Sequence, residues 1–273
     1  MPQISHATLA TTQISVINES TVLSDTDITT AVVALQQQVT NDFRPVWGTD
    51  AELKMVSQGA SAPTGTWWLA ILDDSDQAGT LGYHDLTPDG LPMGKVFAAS
   101  DLKAGTSWTV TASHELLEML VDPNINLTAF VQNANTTGTL YAYEVCDACE
   151  DDSFGYPINN VLVSDFVYPA WFESFRTKGS TQFDRMNQIQ NALQLLTGGY
   201  IGVFNVTDGS GWQQTAEKNL SNLRHRGQVG SRRERRSILR DQWLTSLPQR
   251  KITNNAQHYR QHLQTILRRK EAA

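Results

Sequence analysis

The chain has 273 residues, 40% of them hydrophobic and 18% charged, with a formal net charge of −7, the balance of a soluble globular protein with room for one large domain or two unequal ones. No stretch approaches the roughly 18 to 20 apolar residues that span a bilayer, and the polar opening MPQISHATLATTQ has neither a basic nor an apolar leader region, so a soluble protein without a classical signal peptide is expected, cytoplasmic or phage-associated. Two cysteines, Cys146 and Cys149, exclude a framework of several disulfides.

In chain order, Ile14 and Val16 alternate as in a strand. Ser24-Asp25-Thr26-Asp27 then offers a capping box, followed by Ile28, Val32, Leu35, Val39 and Phe43 at helical spacing. That helix is expected to stop before Pro45. Residues 59–65 read as loop, and the apolar run WWLAIL, 67–72, as a buried central strand. An extended piece at 81–86 leads through the turn Pro88-Asp89-Gly90 to another at 95–98. Residues 107–121 predict a helix that breaks at Asp122-Pro123. The Asn- and Thr-rich stretch 124–138 reads as loop. Short strands are expected at 141–145 and 161–167, a helix at 183–196 ended by Gly198-Gly199, and a last strand at 200–206.

The charge is unevenly spread: 7 Lys and Arg face 24 Asp and Glu up to residue 216, and 14 face 4 beyond it. The chain therefore divides into an acidic domain over 1–213 and a basic helical tail over 214–273. The Arg232, Arg233, Arg235 and Arg236 cluster suits docking on the acidic domain or on an acidic partner. Nucleic acid ranks second, because no aromatic residues interleave with the charges. His258 and His262 share the i, i+4 spacing but have no neighbouring acids, and read as a solvated face.

The chemistry concentrates in Ser113-His114-Glu115-Leu116-Leu117-Glu118. His114 and Glu118 lie one helical turn apart on one face, where both can reach a single metal ion. Glu115, beside them, is positioned as a general base and acid. Downstream, Glu144-x-x-Asp147 offers a third ligand in Glu144 and, in Asp147, an acceptor for the other ring nitrogen of His114. Asp147 and Asp122 are alternative third ligands. The competing reading is that these acids sit on a solvated helix face and an acidic surface loop with Glu150, Asp151 and Asp152. Cys146 and Cys149 fit half a zinc site or a redox pair, with a local disulfide or two free thiols favoured. His84 and Tyr83 are candidate substrate contacts, and Tyr156 and Tyr168 candidate oxyanion donors; packing accounts for each of them too.

The pattern His114-Glu115-x-x-Glu118 with Glu144-x-x-Asp147 resembles the zincin metallopeptidases, particularly those whose third zinc ligand is a downstream glutamate. The resemblance implies an α+β fold: a mixed sheet with an edge strand and an active-site helix. It also implies zinc as the cofactor, Glu115 as the catalytic base, and an extended peptide or protein substrate held by strand addition along 81–85. Glu118 stands where that family has its second histidine, which weakens the Lewis acid and admits Mn²⁺ or Ca²⁺. It is also the best argument for a rival, a non-catalytic binding or assembly protein on a zincin-like scaffold. The blocks LGYHDLTPDG, SHELLEMLVDP and VSDFVYPAWF are similar to those of uncharacterised bacterial and phage-associated proteins, a likeness that implies no activity.

Overall fold

The computed structural model describes residues 11–76, 80–87 and 89–217. Pro88 and the basic tail beyond residue 217, with its arginine cluster, His258 and His262, lie outside the described residues.

The apolar runs form the centre of a five-stranded sheet. β1 (Thr12–Asn18) pairs in parallel with β2 (Ala51–Val56) on one side and with β3 (Trp67–Leu72) on the other. β5 (Pro92–Phe97) continues the parallel order beyond β3, and β4 (Gly82–Leu86) closes the edge antiparallel to β5. The order β2-β1-β3-β5-β4 makes WWLAIL the middle strand. Its near-continuous burial follows from being covered on both faces. β2 was not anticipated; its alternating buried and exposed residues mark a half-covered edge.

Helix α1 (Asp25–Gln37) begins at the expected capping box, with the side chains of Ser24 and Asp27 each accepting the other's backbone N–H. The chain does not stop before Pro45. It passes through a π-helical turn at Gln38–Phe43 into a short helix, α2 (Arg44–Trp47), which Gly48 ends at φ 73°. Pro45 falls just after the π turn, where Arg44 N–H reaches back to the Val39 carbonyl and the hydrogen-bond ladder that the proline would interrupt is already displaced. The π turn carries Gln38 into the core, where its amide accepts from Ser113 Oγ at 2.6 Å and donates to the Ser164 carbonyl at 2.9 Å.

After α3 (Ala98–Ala104), helix α4 (Trp108–Val121) crosses the sheet with Val110 to Leu120 all buried. A helix covered on every face holds its polar residues in the core. His114, Glu115 and Glu118 therefore do not form a solvated face.

The stretch read as loop at 124–138 is largely a hairpin. β6 (Thr128–Ala134) pairs with β7 (Thr137–Ala142), and β10 (Tyr200–Asn205) and β11 (Trp212–Ala216) complete a second sheet in the order β11-β10-β7-β6. β6 is an edge strand with alternate residues exposed, so its composition is polar like that of a loop. β11 runs past the expected domain limit at 213. Between β7 and β10 in the chain, β8 (Tyr156–Ile158) and β9 (Val161–Val163) form a small ribbon whose β9 packs against α1 and α4.

No helix forms at 183–196. Backbone N–H groups that a helix would use go to side chains instead: Gln188 and Ile189 donate to Asp184, and Met186 to Asp165. Asn187 and Leu193 adopt φ 56° and 58°, which no right-handed helix contains.

Burial, reinforced by a hydrogen bond and charge repulsion from Asp184, pushes the Asp165 carboxyl up to about 9. A carboxyl raised this way contributes stability that is complete below its unfolded value near 4 and is lost as the pH climbs through 9. The expected result is an unfolding free energy that falls between pH 5 and 9 more in the wild type than in Asp165→Asn, by roughly 1–3 kcal/mol. Urea denaturation of both proteins across that range measures it, and parallel curves would refute it.

Among the described residues, no helix is long and apolar enough to cross a membrane.

Candidate metal centre

Two glycines let α4 sit close on the β4–β5 edge. A Cβ at Gly82 would stand 2.6 Å from Thr111 Cγ2 and 3.0 Å from Glu115 Cγ, and one at Gly94 would stand 2.9 Å from Leu69 Cδ1 and 3.4 Å from Glu115 Cβ. His84 lies opposite Gly94 in the strand pair, and alternation puts Gly82 and His84 on the face that meets α4. Gly82→Ala is expected to lower the unfolding free energy by about 1–3 kcal/mol, the usual cost of overpacking. Urea denaturation measures this, and an unchanged midpoint would mean that Thr111 and Glu115 can move aside freely.

The third component is the segment after β7. The hydrogen bonds Val167 N–H to Val145 carbonyl, 2.7 Å, and Leu196 N–H to Ala148 carbonyl, 2.9 Å, pin it in place. Its 3-10 turn, Asp147–Cys149, faces the C-terminal half of α4, and Cys146 N–H donates to Glu118 Oε1 at 3.2 Å.

These elements bring two histidines and five carboxylates together. His114 Nε2 faces Glu118 Oε1 at 3.1 Å and Asp147 Oδ1 at 3.3 Å. His84 Nδ1 faces Glu115 Oε2 at 3.2 Å and Glu118 Oε2 at 3.6 Å, and its Nε2 faces Glu144 Oε2 at 3.7 Å. All seven side chains, Glu150 included, belong to residues at most 3% exposed. Three sets of potential ligand atoms lie within 4.8 Å of one another: His114, Glu118 and Cys146; His84, Glu115 and Glu118; His114, Asp147 and Glu150.

So many buried carboxylates are costly without compensating positive charge. Burial pushes Glu118 up to about 8; His114 opposes the shift, and the negative charges of Asp147 and Glu144 add to it. Burial and the same negative surroundings raise the Cys146 thiol well above its ordinary value. The donor set fits a divalent cation, because imidazole, carboxylate and a thiol within reach are the ligands zinc takes, and a carboxylate majority also suits harder ions.

The expected roles are redistributed. Asp147, expected at the far ring nitrogen of His114, faces the same Nε2 as Glu118. Glu144, expected beside His114, faces His84. Asp122 is buried at the end of α4, where its two oxygens accept the N–H groups of Asn126, 2.8 Å, and Leu127, 3.0 Å, which suits a turn cap. Tyr83, expected beside His84 as a substrate contact, alternates to the opposite sheet face, where its hydroxyl binds Asp76 and Lys95. Tyr156 donates to Asp42 at 2.9 Å, and Tyr168 packs on Phe166; both belong to the neighbouring Asp42–Arg185 cluster. Cys146 and Cys149 are buried free thiols.

Sequence reasoning left Glu150 among the surface acids and gave Cys146 no place at the ion. The three-residue repeat Glu144-x-x-Asp147-x-x-Glu150 was the available signal for the first. For His84, the signal was a glycine two residues before it on the same strand face. Comparison of the chain with protein-family models, with curated proteins and with solved structures gives no match.

Proposed function

We propose that the protein is a metal-dependent hydrolase of zincin-like architecture, a zinc metallopeptidase acting on extended peptide chains. The observation that carries this reading is the buried meeting of His114 Nε2 with Glu118 Oε1 and Asp147 Oδ1, with Glu115 one residue along the same helix. His114, Glu118 and Asp147 are the proposed ligands. Glu144, the ligand expected from sequence, is assigned to His84 because of their 3.7 Å approach.

A divalent ion held there supplies a Lewis acid that polarises a carbonyl and acidifies water. Glu115 takes the proton of the attacking water and returns it to the leaving amine. His84 Nδ1, facing Glu115 Oε2, orients that carboxylate. Among the described residues β4 is the outer strand of its sheet, the position at which an extended peptide would add as a further strand. Zinc is the proposed ion, with Mn²⁺ or Ca²⁺ as carboxylate-tolerant substitutes.

One observation favours a second reading, a binding or assembly protein in which the ion is structural: the whole cluster is buried, with no ligand facing open solvent. The two readings share the ion and differ in turnover. Elemental mass spectrometry of protein purified without added metal or chelator, beside His114→Ala, tests the shared premise. Bound zinc that the variant loses is the expected result; a metal-free protein that takes up no zinc, manganese or calcium would overturn both readings. With zinc in place, a peptide-library screen separates them.

A further inference from the structure

Glu118 presents its two oxygens to two different histidines. Oε1 faces His114 Nε2 at 3.1 Å and Oε2 faces His84 Nδ1 at 3.6 Å. A carboxylate placed this way has the form of a bridge between two cations. The reading given above uses one side of that bridge and leaves the other, a complete set of one imidazole nitrogen and two carboxylates, without an ion.

From this we infer that the centre binds two divalent cations: one at His114, Glu118 and Asp147, and a second at His84, Glu115 and Glu118, with Glu118 shared between them. The inference rests on the proposed metal site at His114 and adds a position to it.

Three features support the second position. His84, Glu115 and Glu118 form one of the sets whose ligand atoms lie within 4.8 Å of one another, which is close enough for one ion to draw them to bonding distance with small side-chain shifts. Glu144 Oε2 stands 3.7 Å from the other ring nitrogen of His84, on the side from which a carboxylate that closed to hydrogen-bond distance would fix the tautomer that turns the Nδ1 lone pair to an ion. Finally, Glu115, Glu118, Glu144, Asp147 and Glu150 are gathered in one buried place, and a second dication compensates more of these carboxylates than one ion can, which reduces the cost of their burial.

The two positions differ in softness. Cys146 is within reach of the first, through its set with His114 and Glu118, whereas the second has only nitrogen and oxygen. The first therefore favours zinc, and the second also accepts manganese. Filling the second position makes Glu115 a ligand, so occupancy by one ion or two decides whether that carboxylate is available as a base.

The test uses the full chain, stripped with chelator and titrated with Zn²⁺ by calorimetry, with bound metal checked by elemental mass spectrometry. The expected result is two equivalents in the wild type, one in His84→Ala and none in the His84→Ala, His114→Ala double variant. One equivalent in both the wild type and His84→Ala would overturn the second position and leave the site at His114 standing. Two equivalents in both would place the second ion away from His84 and equally overturn the assignment. A wild type that binds no zinc would remove the His114 site together with the inference. Electron paramagnetic resonance of the wild type loaded with Mn²⁺ needs no variant to fold: an exchange-coupled spectrum is expected, and isolated-ion spectra at full loading would overturn the shared bridge.

Discussion

Glu115→Gln is expected to lower peptide hydrolysis by about 10²- to 10⁴-fold, the range that a positioned general base contributes, while the ion at His114, Glu118 and Asp147 stays bound. Glutamine has the same shape and fits the narrow space that Gly82 and Gly94 leave beside the helix, but its amide cannot take a proton from water. His84 Nδ1 still has an oxygen to face, so the fold and the nearby ligands are preserved. Steady-state rates on a peptide library, with metal content measured on the same samples, check this. An unchanged rate with full metal content would remove Glu115 from the reaction. A wild type that binds metal and cleaves nothing would favour the structural reading.

Glu118→Gln is expected to shift stability in opposite directions with and without metal. In chelator, Glu118 at 0% exposure is pushed up to about 8, so folding at neutral pH protonates a group that is ionised in the unfolded chain. Glutamine avoids the cost of that proton uptake, while the amide oxygen keeps an acceptor for the Cys146 N–H now bound by Oε1. The apo variant should therefore gain stability, by about 1–3 kcal/mol on the scale of replaced buried charges. With zinc the sign reverses, because the wild type gains stability from ion binding, about 4 kcal/mol at a thousandfold excess over Kd, and the variant has lost the ligand that the ion needs. Urea denaturation in chelator and in zinc measures both signs. A variant less stable than the wild type in chelator would show that the carboxylate is held by partners strong enough to offset its burial. Equal stabilisation by zinc in the two proteins would exclude Glu118 as a ligand.

What the sequence determined by itself was local. The capping box at Ser24 and Asp27, the apolar run 67–72 and the helix broken by Asp122-Pro123 depend on contacts within a few residues, and the structure has all three. The i, i+4 placement of His114 and Glu118 is likewise a property of helical pitch alone. Where tertiary contacts outbid local preference, the pattern misled. Carboxylates of Asp165 and Asp184 claimed the backbone donors of the expected helix at 183–196, and a half-exposed edge strand had the polar composition of a loop.

Only the tertiary structure decided which groups share the centre. A spacing of three or four residues says which side chains of one helix are neighbours, but it cannot say which strand lies across from them. The antiparallel register of β4 on β5, and the two glycines that admit α4, put His84 against Glu115 and Glu118. The pinned turn after β7 brought Asp147 to His114 and Glu144 to His84. Burial decided the rest. Acids that would be a solvated surface on an isolated helix and loop became a dehydrated cluster, because α4 is covered on every side, and a dehydrated carboxylate is costly without a compensating charge.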